Sequence, residues 1–215
     1  MNNFFNKELY YRLISVLVFI PIAILPIILS NYLSVVIYLL FTSIIVFEIE
    51  YIKIKVNKNN YLNIYLTLII LSFFSFLFLL ITEKYPVFFL ILIVFTIWLF
   101  DTFSFIGGRI FGGSKLMPNI SSGKTVSGLI SGVVFTLVII QMQSYLFDNS
   151  IKFSIMFTIV IIILSFLGDT LASIIKRLAS VKDSGKIMPG HGGLLDRFDS
   201  FTMVFFILGF FNLII

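Results

Sequence analysis

Long apolar runs separated by short polar breaks dominate the chain, and the lengths of the runs decide what they can form. A bilayer core of about 30 Å needs roughly 20 predominantly apolar residues per helix, within about 17 to 25. Seven stretches meet or approach that requirement: 13–29, 32–52, 61–82, 86–106, 125–147, 151–168 and 200–215. The last is short at sixteen residues, and Pro21 and Pro26 inside the first predict a kinked or shortened helix. Runs such as Ile159 to Leu164 are rich in β-branched residues, yet they lack polar alternation and sit in segments too long for barrel strands. The pattern therefore predicts an all-α, polytopic integral membrane bundle of about seven transmembrane helices. The first stretch follows Lys7 and Arg12 as a secretory signal would, but no small-residue cleavage site follows it and it leads directly into another span, so it is expected to be retained.

Composition agrees with this. Of 215 residues, 60% are hydrophobic and 12% charged, with a mean hydropathy of +1.13, whereas soluble domains carry roughly 25% charged residues. The net charge of +5 sits in short loops, where it reports membrane orientation rather than nucleic-acid binding. Without cysteine, the chain has no disulfides, thiolate catalysis or Cys-based metal sites, which leaves carboxylates, amines, guanidinium, hydroxyls and backbone amides for any chemistry.

Placing the N-terminus in the cytoplasm puts thirteen of the fifteen Lys and Arg residues inside, with only Lys84 and Lys152 outside. The C-terminus is then outside, and both long polar loops face the cytoplasm. Residues 53–60 read as a solvated basic turn. None of the 13 glycines precedes Gly107, while 107–128 and 168–193 hold eleven of them. The chain thus divides into an N-terminal transmembrane scaffold, 1–106, and a C-terminal transmembrane catalytic region, 107–215, within one membrane domain.

The first polar loop follows Asp101, an acid near the end of an apolar run that is read either as interfacial or as facing a polar cavity or partner. Paired glycines allow backbone N–H groups close to an anion, and Arg109, Lys115 and Lys124 are cations able to hold phosphate oxygens. "SSGKT" at 121–125 superficially resembles the end of a P-loop, but position 118 is Pro and membrane helices flank the segment, so a nucleotide-binding P-loop is excluded. A flexible connector is the plainer reading of this loop.

In the second polar region, a helical reading puts Asp169, Ser173, Lys176 and Arg177 on one broad face and extends the sixth span as an amphipathic segment. Lys182 and Asp183 follow, then a Pro-Gly-His-Gly-Gly turn at 189–193, then Asp196 and Asp199 at i, i+3 spacing. With Asp169 these two acids offer oxygen ligands for a hard cation such as Mg²⁺, one ion or two; the alternative is that they favour the start of the last helix through its dipole. His191 is read as a turn or substrate contact in preference to a metal ligand, since no second His or Cys accompanies it. The residues alone point to a membrane enzyme that handles a phosphorylated substrate with Mg²⁺.

The stretch from Ser173 to Ser200 resembles the C-terminal signature of the phosphatidate cytidylyltransferase (CDP-diacylglycerol synthase) family, S-x-x-K-R-x4-K-D-x5-P-G-H-G-G-x-x-D-R-x-D, and meets every fixed position over twenty-seven residues. Gly168-Asp169, Asp101, Gly108-Arg109, Phe111-Gly112, Lys115-Leu116, Pro118, Ile120-Ser121 and Lys124-Thr125 are also similar to the family pattern. Where members commonly read S-P-K-K-T-x-E-G, this chain has Ser122 for Pro, Gly123 for a cation and Ser127 for Glu. The resemblance implies transfer of a cytidylyl group from CTP to phosphatidic acid at the cytoplasmic face, with possible assembly as a homodimer and no nucleic acid involved. It implies metal ligation by Asp169, Asp196 and Asp199, and phosphate contacts by Lys176, Arg177, Lys182 and Arg197. Asp183 would orient a cation or ligate metal. Substrate contacts would come from Asp101, Arg109, Lys115, Ser121, Lys124, Thr125, Ser173 and His191, with Gly192 and Gly193 giving backbone access. Other readings of the pattern are a related CTP-dependent membrane enzyme on a polyprenol or another lipid phosphate, a catalytically weakened homologue, and a transporter. A transporter predicts polar residues through several spans, whereas the first four carry only Glu48, Glu50 and Asp101.

Overall fold

A computed structural model describes residues 18–56, 60–82, 86–146, 154–185, 187 and 192–214. The helices are α1, described over Val18–Leu29, α2 (Asn31–Val56), α3 (Asn60–Ile81), α4 (Val87–Phe111), α5 (Val126–Leu146), α6 (Ile155–Leu178) and α7 (Leu195–Ile214). Between α4 and α5 lies a hairpin of β1 (Lys115–Met117) and β2 (Ser121–Thr125). The protein is an integral membrane helical bundle: α2 to α6 are each long and apolar enough to cross a bilayer. The described part of α1 is shorter, and α7 opens on Asp196, Arg197 and Asp199. Pro21 and Pro26 both lie within the described α1 helix.

α4 runs past its expected end, continuing to Phe111 rather than stopping at 106, and so does α2, to Val56 rather than 52, whereas α6 continues to Leu178 as the helical reading beyond 168 predicts. Gly107, Gly108 and Arg109 are therefore helical, as are Asp169 to Arg177. α4 stops at Gly112, whose φ of 59° is left-handed and whose N–H donates to the Gly108 carbonyl at 3.1 Å. At the start of α6 the Ser154 hydroxyl accepts from the Phe157 N–H at 3.1 Å.

The 115–125 segment is not a plain connector. Its strands pair antiparallel, with Lys115 opposite Thr125 and Met117 opposite Ser121. Strands this short lack the apolar alternation that marks a strand in sequence. The hairpin is held from outside itself: Arg177 Nε on α6 donates to the Ile120 carbonyl at 2.9 Å.

Most of the helical glycines make room for a neighbouring helix. On α5, Gly128 and Gly132 form a small-xxx-small pair facing Ser104 and Gly108 of α4. A Cβ at Gly132 would stand 2.0 Å from Ser104 Oγ, and one at Gly128 would stand 2.6 Å from the Ser104 carbonyl oxygen. Gly209 of α7 meets Ser75 of α3 in the same way. In lipid, where apolar attraction between helices is weak, such close approach is what holds them together.

Phe198, at the start of α7, is surrounded by rings from three other helices. Its centroid lies 5.7 Å from Phe19, 5.4 Å from Phe41 and 5.3 Å from Phe73, and 5.6 Å from Phe201 on its own helix. Tyr38 joins the cluster and donates its hydroxyl to the Ala23 carbonyl at 2.9 Å, tying α2 to α1. The cluster fixes the mouth of α7, and with it the acids on either side of Phe198. Exposed apolar residues such as Phe47, Ile64 and Phe74 belong to the lipid-facing surface.

Gly132→Leu should overpack the α4–α5 contact and cost about 1–3 kcal/mol, read as a lower unfolding midpoint in detergent. Gly123→Ala, where an added Cβ meets nothing within 4 Å, should stay within about 0.5 kcal/mol.

Candidate active site

The ends of α4, α6 and α7 meet the hairpin around a cleft of about 330 Å³. Asp101 of α4, Ser121, Lys124 and Thr125 of β2, Asp169 of α6, and Asp196, Asp199 and Ser200 of α7 supply its polar wall. Phe100, Phe105, Leu129 and Phe166 line the rest. Seven residues singled out in the sequence thus converge on one cavity, although up to 98 positions separate them along the chain, Asp101 to Asp199. The apolar wall beside the acids suits a molecule that is part lipid and part anion.

Two lysines organise the acids. Lys176 Nζ lies 2.7 Å from Asp196 Oδ1 and 3.7 Å from Asp199 Oδ2, with the three side chains nearly buried. Lys124 Nζ lies 3.1 Å from Asp169 Oδ2, donates to Thr170 Oγ1 at 3.0 Å and stands over the Phe166 ring at 5.0 Å. One lysine comes from the hairpin and the other from α6, so both polar regions contribute to the same charge cluster. Ser200 links the remaining acids: its hydroxyl donates to Asp101 Oδ2 and its N–H to Asp199 Oδ1, each at 2.9 Å. Ser173 reaches Asp169 only at a long 3.4 Å.

Asp196 does more than the sequence suggested. Its Oδ2 accepts from the Ser184 N–H at 2.9 Å, the Ser184 hydroxyl at 3.1 Å and the Gly193 N–H at 2.9 Å, while Oδ1 faces Lys176. A carboxylate so engaged anchors the polar loop to α7 and has little acceptor capacity left for a metal. Gly192 and Gly193 likewise serve close approach to the protein's own carboxylates. Gly192 has a φ of 87°, and a Cβ there would meet Asp196 Oδ2 at 2.6 Å; one at Gly193 would stand 2.6 Å from both oxygens of Glu48.

Glu48 of α2 is the residue that sequence reasoning missed. It is buried, and its oxygens accept from the Leu194 N–H (2.9 Å) and the Leu195 N–H (3.0 Å), with the Ser184 hydroxyl, whose one proton lies between Glu48 and Asp196, at 2.9 Å. The available signal was an acid inside an apolar run, two residues before a second acid that instead pairs with Lys53.

Other expected residues lie off the cavity. Arg109 is exposed and sits over Phe105. Lys115, Lys182 and Asp183 are exposed. Arg177 braces the hairpin, with Nη1 also donating to the Val181 carbonyl at 3.2 Å. Arg197 is partly buried beside Asp196 without lining the cleft. His191 lies outside the described residues. At Ser127, where related sequences commonly have Glu, the hydroxyl bonds to the Gly112 carbonyl and stands 3.1 Å from Thr125 Oγ1, so the position ties the hairpin to the end of α4.

Residues 3–215 match the sequence profile of the Cytidylyltransferase family. The chain belongs to this family. Three relatives, each named phosphatidate cytidylyltransferase, come from Staphylococcus saprophyticus subsp. saprophyticus, Staphylococcus haemolyticus and Staphylococcus aureus, and are 46%, 44% and 43% identical to it over 110 residues. The matched stretch covers 50% of this chain and 42% of each relative, so it spans less than half the length of these curated proteins.

The sequence reading expects a hard divalent cation, and the donor set bears on that. Among the described residues no three His, Cys, Asp or Glu side chains gather into a ready metal cage. Magnesium does not require one, since it binds through one or two carboxylates together with substrate phosphates. Asp169 and Asp199 fit that mode: both line the cleft, and both are oxygen donors.

Lys176→Met should leave Asp196 and Asp199 without their shared cation and cost about 3–5 kcal/mol, seen in thermal unfolding in detergent. Lys182→Met, at an exposed position, should change stability by less than about 0.5 kcal/mol.

Proposed function

We propose that this protein transfers the cytidylyl group of CTP to phosphatidic acid, leaving CDP-diacylglycerol in the membrane and releasing pyrophosphate. The observation that carries this reading is the single cleft in which Lys124, Asp169 and Asp199 stand beside the apolar wall of Phe100, Phe105 and Phe166. Membership of the cytidylyltransferase family and the names of its relatives support it.

A phosphate oxygen of the lipid bonds to the α-phosphorus of CTP as the bond from that phosphorus to the oxygen of the leaving pyrophosphate breaks. The attacking oxygen is already anionic near neutral pH, so no strong general base is needed. The obstacle is mutual repulsion of two anions, and cations fixed where charge develops relieve it. Lys124 brings such a charge to the cleft wall, held by Asp169 until phosphate arrives, and Lys176 stands behind that wall against Asp196 and Asp199. Asp169 and Asp199 would hold a magnesium ion, which when bound neutralises polyphosphate charge. Asp196 keeps Lys176 in place from the other side. The positive-inside distribution of Lys and Arg supports a cytoplasmic cleft, where CTP is present. Homodimeric assembly belongs to the same reading and is carried by the resemblance alone.

The test is a turnover assay on the purified full chain in detergent, with radiolabelled CTP, phosphatidic acid and Mg²⁺. Lipid-extractable cytidine is expected, and Asp199→Asn should lower kcat by about 10²-fold or more. No Mg²⁺-dependent liponucleotide from the wild type, or full rate in Asp199→Asn, would contradict the reading.

A further inference from the structure

Among the described residues, Glu48 is a buried acid to which the proposed chemistry gives no role. It belongs to α2, in the half of the chain that reads as scaffold. A helix start is ordinarily satisfied by a nearby Ser, Thr, Asp or Asn. The residue before α7 is Leu194, which has no side-chain acceptor. Glu48 supplies the missing acceptors from 146 residues earlier, taking the Leu194 N–H on Oε1 and the Leu195 N–H on Oε2. Its negative charge also faces the positive end of the α7 dipole.

The backbone is shaped to admit this carboxylate. A Cβ at Gly185 would stand 2.7 Å from Glu48 Oε1, as Gly193 would crowd both oxygens at 2.6 Å. From Glu48 the contacts run inward without a break. The Ser184 hydroxyl lies 2.9 Å from Glu48 Oε2 and 3.1 Å from Asp196 Oδ2. Asp196 holds Lys176, and Lys176 faces Asp199 on the cleft wall.

We infer that Glu48 is a positioning residue: from the scaffold half it fixes Ser184 and the start of α7, and through Asp196 it sets where Lys176 and Asp199 stand. The inference rests on the proposed function. Both carboxylate oxygens are in use, so glutamine, with one acceptor oxygen and an NH₂ turned toward a donor, keeps the volume but loses part of the arrangement.

The experiment compares full-length wild type, Glu48→Gln, Ser184→Ala and the double variant in detergent. It measures kcat and KM for CTP in the cytidylyl-transfer assay, and hydrogen exchange at the Leu194 and Leu195 amides. Glu48→Gln should lower kcat roughly ten- to hundredfold, as loss of an outer support does, and leave KM for CTP within about threefold. The two amides should exchange faster while unfolding remains cooperative, and the double variant should lose little more than the worse single variant. Should Glu48→Gln fail to fold, Glu48→Asp, which keeps both oxygens one methylene short, takes its place with the same expectations. Unchanged protection of both amides, wild-type kcat in Glu48→Gln, or strictly additive losses would each overturn the inference. A wild type inactive on CTP and phosphatidic acid would overturn the proposed function instead, and the exchange measurement alone would then decide whether Glu48 holds this region.

Discussion

Carboxylates at the ends of membrane helices are tolerated only if something answers their charge, and here that constraint shapes the protein. Losing one partner of a buried ion pair strands the other, which is why such groups come in closed sets. Lys176 stands between Asp196 and Asp199, so α6 must run past the apolar region to deliver it, and α7 must begin beside it. Gly168 permits the approach, since a Cβ there would stand 2.6 Å from the Asp199 carbonyl oxygen. The ring cluster around Phe198 and the carboxylate of Glu48 then fix α7 from its other sides.

The apolar runs revealed the helices because span length and hydropathy are local properties. The acids of the last polar region were legible for a similar reason: three-residue spacing on a helix puts Asp196 and Asp199 on neighbouring turns. Partnership was not legible. Nothing near Lys124 says that it reaches Asp169, because that contact depends on a hairpin whose strands carry no apolar alternation and which Arg177 braces from α6. Gly107 and Gly108 lie beyond the predicted fourth span, yet both are on α4, and nothing in the sequence says that a partner comes close to Gly107, Gly128, Gly132 and Gly168. Glu48 was hidden because its donors are mostly backbone amides, which any sequence provides.

These contacts also blur the division into scaffold and catalytic region. Asp101 enters the cleft from the end of α4 and is joined to α7 through Ser200, while Glu48 reaches the same helix from α2. The chemistry proposed for the cleft needs a lipid phosphate and a nucleotide phosphate side by side. An acid-and-lysine cluster with an aromatic wall meets both requirements in one place, at the level where apolar helix gives way to polar loop.

Lys176 and Asp199 act on one another rather than merely lying near. A double-mutant cycle of Lys176→Met and Asp199→Asn, followed by reversible unfolding in detergent, measures that directly. A coupling of about 1 kcal/mol or more is expected, with the double variant less damaged than the sum of the singles, whereas losses that add to within about 0.3–0.5 kcal/mol would contradict it.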